Sequence, residues 1–525
     1  MDNPSNPDSA SHELKDKTVP SVPSVAVIGA GVAGLTVAYK LALAGLKITL
    51  YEASPRIGGR ILTDYEAFKY QKQYCEKGGE WIDSTHHDIR KLAHELKLDV
   101  QDITKKRIGD ELFYFGGQFY GPRDFLNFNR EKNVTEGEYV QLARYIGRDR
   151  RKARVNPAYA KQLDALTIDD YLLKAQDQTK APSWVIESIR MSYKGEFGTE
   201  TNEQSAMLLI QQIGTGLRRP FEVYGPKQDE SQRIRGGNSK LIEALFAVLN
   251  QKKVKFFPAH TLVKIDYKGA SGRHKVYVEL RHNERRKTRN FDYVVLALPF
   301  TKLREVEGLE ILKERGFLSP GKYQAIQEIG YGNILKIMLG MNGEPWRNNP
   351  RFPLPTNGSF RTDNPYLQNT WITSVGQTGT DSILTILVAG HEAKQPIDTI
   401  ARECRKATVH LFQMSEDQLF NHRHSSHIWS EDEYVRGSYS AFRPGQYTTL
   451  RLWAGTPECE ERLGFVGEHT DPELYGYMSG AVHSATKEAE RILTRIRKTS
   501  SGSADSGPGA APLPLPNVAD ALGSR

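Results

Sequence analysis

Residues 25–63 read VAVIGAGVAGLTVAYKLALAGLKITLYEASPRIGGRILT, and no other stretch constrains the fold as much. A short β-branched run, Val25 to Ile28, leads into Gly29, Gly31 and Gly34 at the spacing G-x-G-x-x-G. Residues 35–44 have a helical pattern ended by Gly45, residues 48–51 form a second apolar strand, and Glu52 stands at its carboxyl end. Strand, glycine turn, helix, strand and acid in that order describe a dinucleotide site. Gly29 permits the tight turn, Gly31 lets the backbone approach a pyrophosphate, and Gly34 lets helix and strand pack closely. The helix N-terminus turns unpaired N–H groups and partial positive charge toward the phosphates. Glu52 is placed to accept hydrogen bonds from an unphosphorylated ribose.

Two further glycine motifs follow. Arg56-Ile57-Gly58-Gly59-Arg60 suits a second loop over a pyrophosphate, with Arg60 as the forked counter-charge. Gly78-Gly79-Glu80-Trp81-Ile82 precedes a helix expected over 87–96, and its glycine pair implies close backbone approach to something flat or bulky. Together these motifs resemble the flavin-dependent amine oxidase family, which includes monoamine, polyamine and L-amino-acid oxidases. The resemblance covers about residues 24–497. It implies an α/β, two-domain FAD-dependent amine oxidase-like fold: a Rossmann-type FAD domain plus a mixed-sheet and helical substrate domain. The discontinuous FAD domain is expected from 24–85, 230–310 and 455–498, and the substrate domain from 86–229 and 311–454. Residues 1–23 and 499–525 are polar or rich in Ser, Gly, Ala and Pro, and are expected to be disordered.

The resemblance also carries site residues. Gly79, Glu80 and Trp81 are implied beside the cofactor, Leu262 at an adenine-facing backbone segment, and Trp429 beside the flavin. Gly467 and Glu468 resemble a second FAD fingerprint near the ribityl-phosphate part, and Met478 lies at a helix N-terminus suited to the polar edge of the isoalloxazine. Lys336 sits inside the alternating apolar run 334–341. In the family a lysine at this place is linked through water to flavin N5 and helps the reduced flavin meet oxygen. The residues alone leave a snorkelling edge-strand lysine open as well. Tyr439, ten residues after Trp429, and Tyr477 match the two aromatics that flank the substrate amine. Ser438 stands where some members attach the flavin through cysteine, so the FAD is expected to be non-covalent.

The reaction so implied is oxidation of a C–N bond to an imine by hydride transfer to flavin N5. O2 is reduced to H2O2, and the imine is hydrolysed to a carbonyl compound plus amine or ammonia. The substrate stays open between an amine and an L-amino acid. The latter needs a cationic clamp for its carboxylate, for which Arg90, Arg190 and Arg443 are the candidates. Trp81 and Asp83 occupy the region where amino-acid oxidases often place an arginine, which favours an amine. A decarboxylating monooxygenase, a desaturase or porphyrinogen-type oxidase at a membrane surface, and a non-catalytic FAD-binding protein remain alternatives. Residues 110–230 read as a mostly helical insertion, with Glu196, Phe197 and Gln204 as packing and capping residues.

Charge and cysteine content narrow the partners. The 71 basic and 63 acidic residues are well mixed, giving a net charge of +8. The basic clusters 148–154 and 281–289 lack interleaved aromatics and read as solvated surface, not as a nucleic-acid face. Cys75, Cys404 and Cys459 are far apart and fit free thiols, and no histidine cluster has metal-ligand spacing. No run reaches the roughly 18 apolar residues of a membrane helix, and residues 1–23 lack the apolar core of a signal peptide. The expectation is a cytoplasmic enzyme without transmembrane anchor or metal, acting on a small molecule and O2, with a homodimer left open.

Overall fold

The glycine-marked stretch folds into strand Ser24–Ile28, helix Val32–Leu43 and strand Lys47–Tyr51. The computed structural model describes residues 22–500 except 126–127, 130–133, 136, 138, 218–220, 226–227 and 270–273. The expectations for the two terminal segments therefore fall almost wholly outside the described residues. Ser24–Ile28 lies in the middle of a five-stranded parallel sheet. Lys47–Tyr51 and then Lys255–Phe257 lie on one side of it, Tyr293–Leu296 and then Leu463–Phe465 on the other. Val25, Ala26, Val27, Val294 and Val295 are fully buried, as unbroken apolar runs in a parallel sheet must be when both faces are covered. Helices Val32–Leu43, Ser239–Gln251 and Met478–Ser500 pack on one another over this sheet.

Strands Thr261–Lys268, Lys275–His282 and Arg285–Phe291 form a separate antiparallel sheet. A seven-stranded sheet makes the second large layer. Its order is Leu419–Ile428, Ile334–Met341, Ser382–Ala389, Asn369–Ile372, Thr356–Thr362, Asp110–Phe115, Gln118–Tyr120. It is mixed, because Thr356–Thr362 runs parallel to Asp110–Phe115 and the other described pairs are antiparallel. Ile334–Met341 is paired on both sides, which removes the edge-strand reading of Lys336.

The insertion contains helices Val140–Val155, Pro157–Asp164, Ile168–Thr179, Ser183–Phe197 and Ala206–Gln212. Thr167 and Asp170 form a reciprocal cap that starts the third of these. The insertion is not helical from its start. Residues 110–120 extend the seven-stranded sheet, because Leu112, Phe113 and Phe115 find burial there. The cluster 148–154 is also not all surface. Arg150 turns inward, and its Nε donates to the Ile210 carbonyl at 2.5 Å.

Gly34 bears directly on this packing. A Cβ there would lie 1.8 Å from the Gly29 carbonyl oxygen and 3.1 Å from Ala297 Cβ. Neither neighbour is a flexible chain end, so Gly34→Ala is expected to destabilise the fold by at least the about 1–3 kcal/mol typical of overpacking. A melting temperature equal to wild type would remove this role.

Candidate functional site

A cavity of about 650 Å³ opens at the carboxyl end of strand Ser24–Ile28 and reaches into the seven-stranded layer. Open α/β sheets bind ligands at that end of their strands. Gly29, with φ +105°, makes the turn, and its N–H donates to the Tyr51 carbonyl at 2.7 Å. Gly31 meets the second glycine loop: the Gly58 N–H donates to the Ala30 carbonyl at 2.8 Å, and Gly31 and Gly58 form an isolated parallel bridge. Gly29, Gly31, Gly58 and Gly59 all line the cavity, whereas Gly34 packs beneath the turn. Glu52 lines it too, its carboxylate fixed by N–H donors from Ala30 at 2.6 Å and Ser54 at 2.8 Å. Burial raises its pKa, against the pull of those hydrogen bonds. Leu262 borders the same end, on a strand with a bulge between Leu262 and Lys264. Arg281 and Arg286 also border it, from a cluster, 281–289, that is exposed throughout as expected.

Farther in, Arg60 bridges distant segments. Its Nη1 donates to the Ser438 carbonyl at 2.7 Å and to Glu468 Oε1 at 2.8 Å. Glu468 Oε2 accepts from Ser440 Oγ at 2.7 Å and from the Gly476 N–H at 2.8 Å. Burial would raise the Glu468 pKa, but the Arg60 charge and these donors hold it below the usual carboxylate range. Arg60 is thus committed within the protein, and Arg56, whose guanidinium stands 5.8 Å from the Trp429 ring centre, is a second cation on this wall. Trp429 Nε1 donates to the Lys77 carbonyl at 3.0 Å. Gly467 and Met478, the first residue of the last helix, line the cavity as well, and Met478 packs on Gly79.

Lys336 projects from its strand into this wall. Its Nζ donates to the Gly78 carbonyl at 2.8 Å and to Glu80 Oε2 at 3.0 Å, and lies 5.2 Å from the Trp371 ring centre. The other Glu80 oxygen accepts from Thr373 Oγ1. With side-chain exposures of 12% and 2%, Lys336 and Glu80 are a buried pair, and removing one partner costs about 3–5 kcal/mol. Trp81 lines the cavity next to Glu80, with the Arg107 guanidinium 4.6 Å from its ring centre.

The far end holds Tyr439 and Tyr477. Tyr439 OH donates to the Gly195 carbonyl at 3.4 Å. Tyr477 OH donates to Glu196 Oε1 at 2.8 Å and accepts from Gln228 Nε2 at 2.9 Å. Glu196 lines the cavity, which corrects its reading as a packing or capping residue, whereas Phe197 does pack in the core, against Tyr193 and Tyr475, while also bordering the cavity. Helix Ser183–Phe197 stops at Gly198 in the left-handed region, and that stop aims its last turn at the cavity. Gln204 does brace backbone, donating to the Tyr193 and Thr199 carbonyls. Glu230, unforeseen from the sequence, is a second carboxylate on this wall, with φ +44°. Its N–H donates to Asp83 Oδ1 at 2.7 Å. The three arginines proposed as a carboxylate clamp are elsewhere. Arg90 donates to the Ser84 carbonyl, Arg190 pairs with Asp169 and Glu187, and Arg443 lines a separate surface cavity.

These walls fit a flavin dinucleotide. At Gly31 an added Cβ would meet only Gly59 Cα, at 3.8 Å, so backbone alone borders the space there. Ser438 Oγ, Trp371 Nε1 and Trp81 Nε1 are buried cavity-lining polar atoms without a hydrogen-bond partner among the described residues. Residues of this kind suit a bound group that supplies polar edges. Gly31→Ala is therefore expected to leave the unfolding free energy of the apoprotein within about 1 kcal/mol of wild type while reducing retained flavin. Flavin absorbance per protein unchanged from wild type would contradict this.

The model of the family described as flavin containing amine oxidoreductase matches residues 32–493. An "Amine oxidase [flavin-containing]" of Oncorhynchus mykiss is 24% identical over 485 residues, covering 89% of this chain and 85% of that one. An L-amino-acid oxidase of Vipera ammodytes ammodytes is 23% identical over 490 residues, covering 89% and 92%. Among solved structures, putrescine oxidase bound to putrescine superposes with a TM-score of 0.70 at 17% identity, over 90% of this chain and 99% of that one. Cyclohexylamine oxidase from Brevibacterium oxydans superposes with a TM-score of 0.70 at 16% identity, over 91% and 100%. With a family match over nearly its whole length and a fold shared with solved amine oxidases, the chain belongs to the flavin-containing amine oxidoreductases and is an oxidoreductase acting on amine donors.

Proposed function

We propose that this protein is an oxidase of an amine that carries no α-carboxylate, with FAD held non-covalently. One observation carries the reading. The cavity wall around Tyr439 and Tyr477 is acidic, with Glu196 and Glu230, while Arg90, Arg190 and Arg443 are committed elsewhere or line other surfaces. An ammonium is favoured there, and a substrate carboxylate is repelled. Ser438 in place of a cysteine supports non-covalent attachment. The same reading divides the chain into the discontinuous FAD domain of 24–85, 230–310 and 455–498 and a substrate domain from the remainder.

FAD supplies the hydride acceptor for the carbon–nitrogen bond and the electrons that reduce O2 to H2O2. The protein's part is to bind, orient and exclude water. Gly29, Gly31, Gly58 and Gly59 take the pyrophosphate, and Glu52 takes the ribose. Trp429, Gly467, Glu468 and Met478 border the ring and ribityl end, with Gly79 and Trp81 facing them. Tyr439 and Tyr477 flank the substrate nitrogen, Tyr477 being held in place by Glu196 and Gln228. Lys336, oriented by Glu80 and the Gly78 carbonyl, provides a fixed positive charge where oxygen gains negative charge.

Peroxide production over a panel of amines and L-amino acids tests the substrate class. Peroxide with amines only is expected, and peroxide with L-amino acids would overturn the reading. FAD that stays with the chain after denaturation would overturn non-covalent binding. Lys336→Met is expected to slow the oxygen-dependent half-reaction by about tenfold or more relative to anaerobic reduction. The double variant with Glu80→Gln, which removes the unpaired charge, should keep that asymmetry. Equal effects on both half-reactions would make Lys336 structural.

A further inference from the structure

Amines of ordinary basicity arrive at neutral pH as ammonium ions, with pKa values near the about 10.4 of a lysine side chain. A C–H next to a protonated nitrogen is a poor hydride donor, so the nitrogen must be free of its extra proton before hydride leaves. We propose that Glu196 is the catalytic base that takes this proton. The inference rests on the amine-oxidase reading above and deepens it. One N–H bond of the ammonium breaks and leaves its electron pair on nitrogen, one O–H bond forms on the Glu196 carboxylate, and nothing is oxidised or reduced in the step.

The geometry singles out this group. Glu196 lines the cavity from the last turn of helix Ser183–Phe197, adjacent to Gly195, whose carbonyl accepts from Tyr439 OH at 3.4 Å. Its Oε1 accepts from Tyr477 OH at 2.8 Å, so the carboxylate meets one flanking tyrosine while the neighbouring Gly195 carbonyl meets the other. Glu468 and Glu80 are saturated by Arg60, Ser440 and Gly476, and by Lys336 and Thr373. Burial, opposed by the Tyr477 hydrogen bond, pushes the Glu196 pKa up to about 7, where a base is half ionised at neutrality. Glu230 pushes it further up, and Arg361 pulls it down. The side chains of Tyr224, Tyr439, Tyr475 and Tyr477 line the same space, and burial keeps their phenols neutral through this range. Asp83, pushed up by burial to about 8, and Glu230, raised by burial against the pull of Arg107 and Arg361, are the neighbouring carboxyls.

The test uses holoenzyme and cumylamine, an amine with no hydrogen on its nitrogen-bearing carbon, with Kd read from the flavin absorbance shift. If Glu196 accepts the proton, an ionised enzyme pairs with an ammonium and no net proton is exchanged. Wild-type Kd should then stay flat from about pH 7.5 to 9.5, between the Glu196 and amine pKa values, and weaken below pH 7. Glu196→Gln should bind only the free base, so its Kd should fall about tenfold per pH unit over the same window. Its anaerobic reduction by an oxidisable amine should be slowed at least about a hundredfold at pH 7 and recover toward wild type near pH 10. Asp83→Asn should keep the flat wild-type profile. A wild-type Kd that already falls tenfold per unit, or a Glu196→Gln profile parallel to wild type, would overturn the proposal. Failure of every amine to reduce the wild-type flavin would instead remove the amine-oxidase reading, because the cumylamine profile does not depend on turnover.

Discussion

The Arg60–Glu468 pair holds the site together. It joins the second glycine loop to a turn 408 residues later, and through Ser440 and the Ser438 carbonyl it also takes in the tyrosine-bearing segment. A buried ion pair is stabilising only when its remaining donors and acceptors are met. Here Ser440 and Gly476 meet those of Glu468. The pair therefore works as a register pin. It sets the height of Trp429 and Tyr439 on one side and of Tyr477 and Met478 on the other, relative to the phosphate loops.

From that pin outward the charged lining differs between the two ends. Toward the parallel sheet its walls carry Arg56, Arg281 and Arg286 together with Glu52, Glu305 and Glu307, with glycine backbone between them. Toward the helical insertion they carry Glu196 and Glu230 among tyrosines. On the proposed reading, the flavin pyrophosphate and the amine take opposite ends of this one space. The polarity is not a property of the surface, whose charges are mixed, but of which side chains the two large sheets and the insertion turn inward. Lys336 is the exception in the middle, a cation on an interior strand whose charge is balanced by Glu80 alone among the ionised side chains bonded to it.

Much of this was legible in the sequence because the signals are local. The glycine spacing, the acid after the second strand and the apolar runs specify backbone conformation within a few residues, and the βαβ unit follows. The alternation of 334–341 likewise marks a strand with Lys336 on it. Seventeen of the eighteen residues assigned to cofactor or catalysis line one cavity, Gly34 packs beneath its turn as its position in the motif implies, and the three arginines offered as a carboxylate clamp lie elsewhere. That convergence came from motif resemblance, since single tyrosines and tryptophans carry no local mark of a site.

Other features had no local signal. Glu196 is one acid at the end of an ordinary helix, and only the docking of that helix brings its carboxylate to Tyr477. Glu230 sits in irregular chain, and Arg150 lies in a basic run whose other basic residues stay exposed. Residues 110–120 are short enough to pass for insertion, until a parallel partner at Thr356–Thr362 makes them strands. The sequence alone determined the backbone conformation of the nucleotide unit and the residue types of the site, because both depend on neighbours along the chain. Tertiary structure decided strand order, whether Lys336 lies on an edge, and which carboxylates line the cavity, because these depend on pairings between residues far apart in the chain.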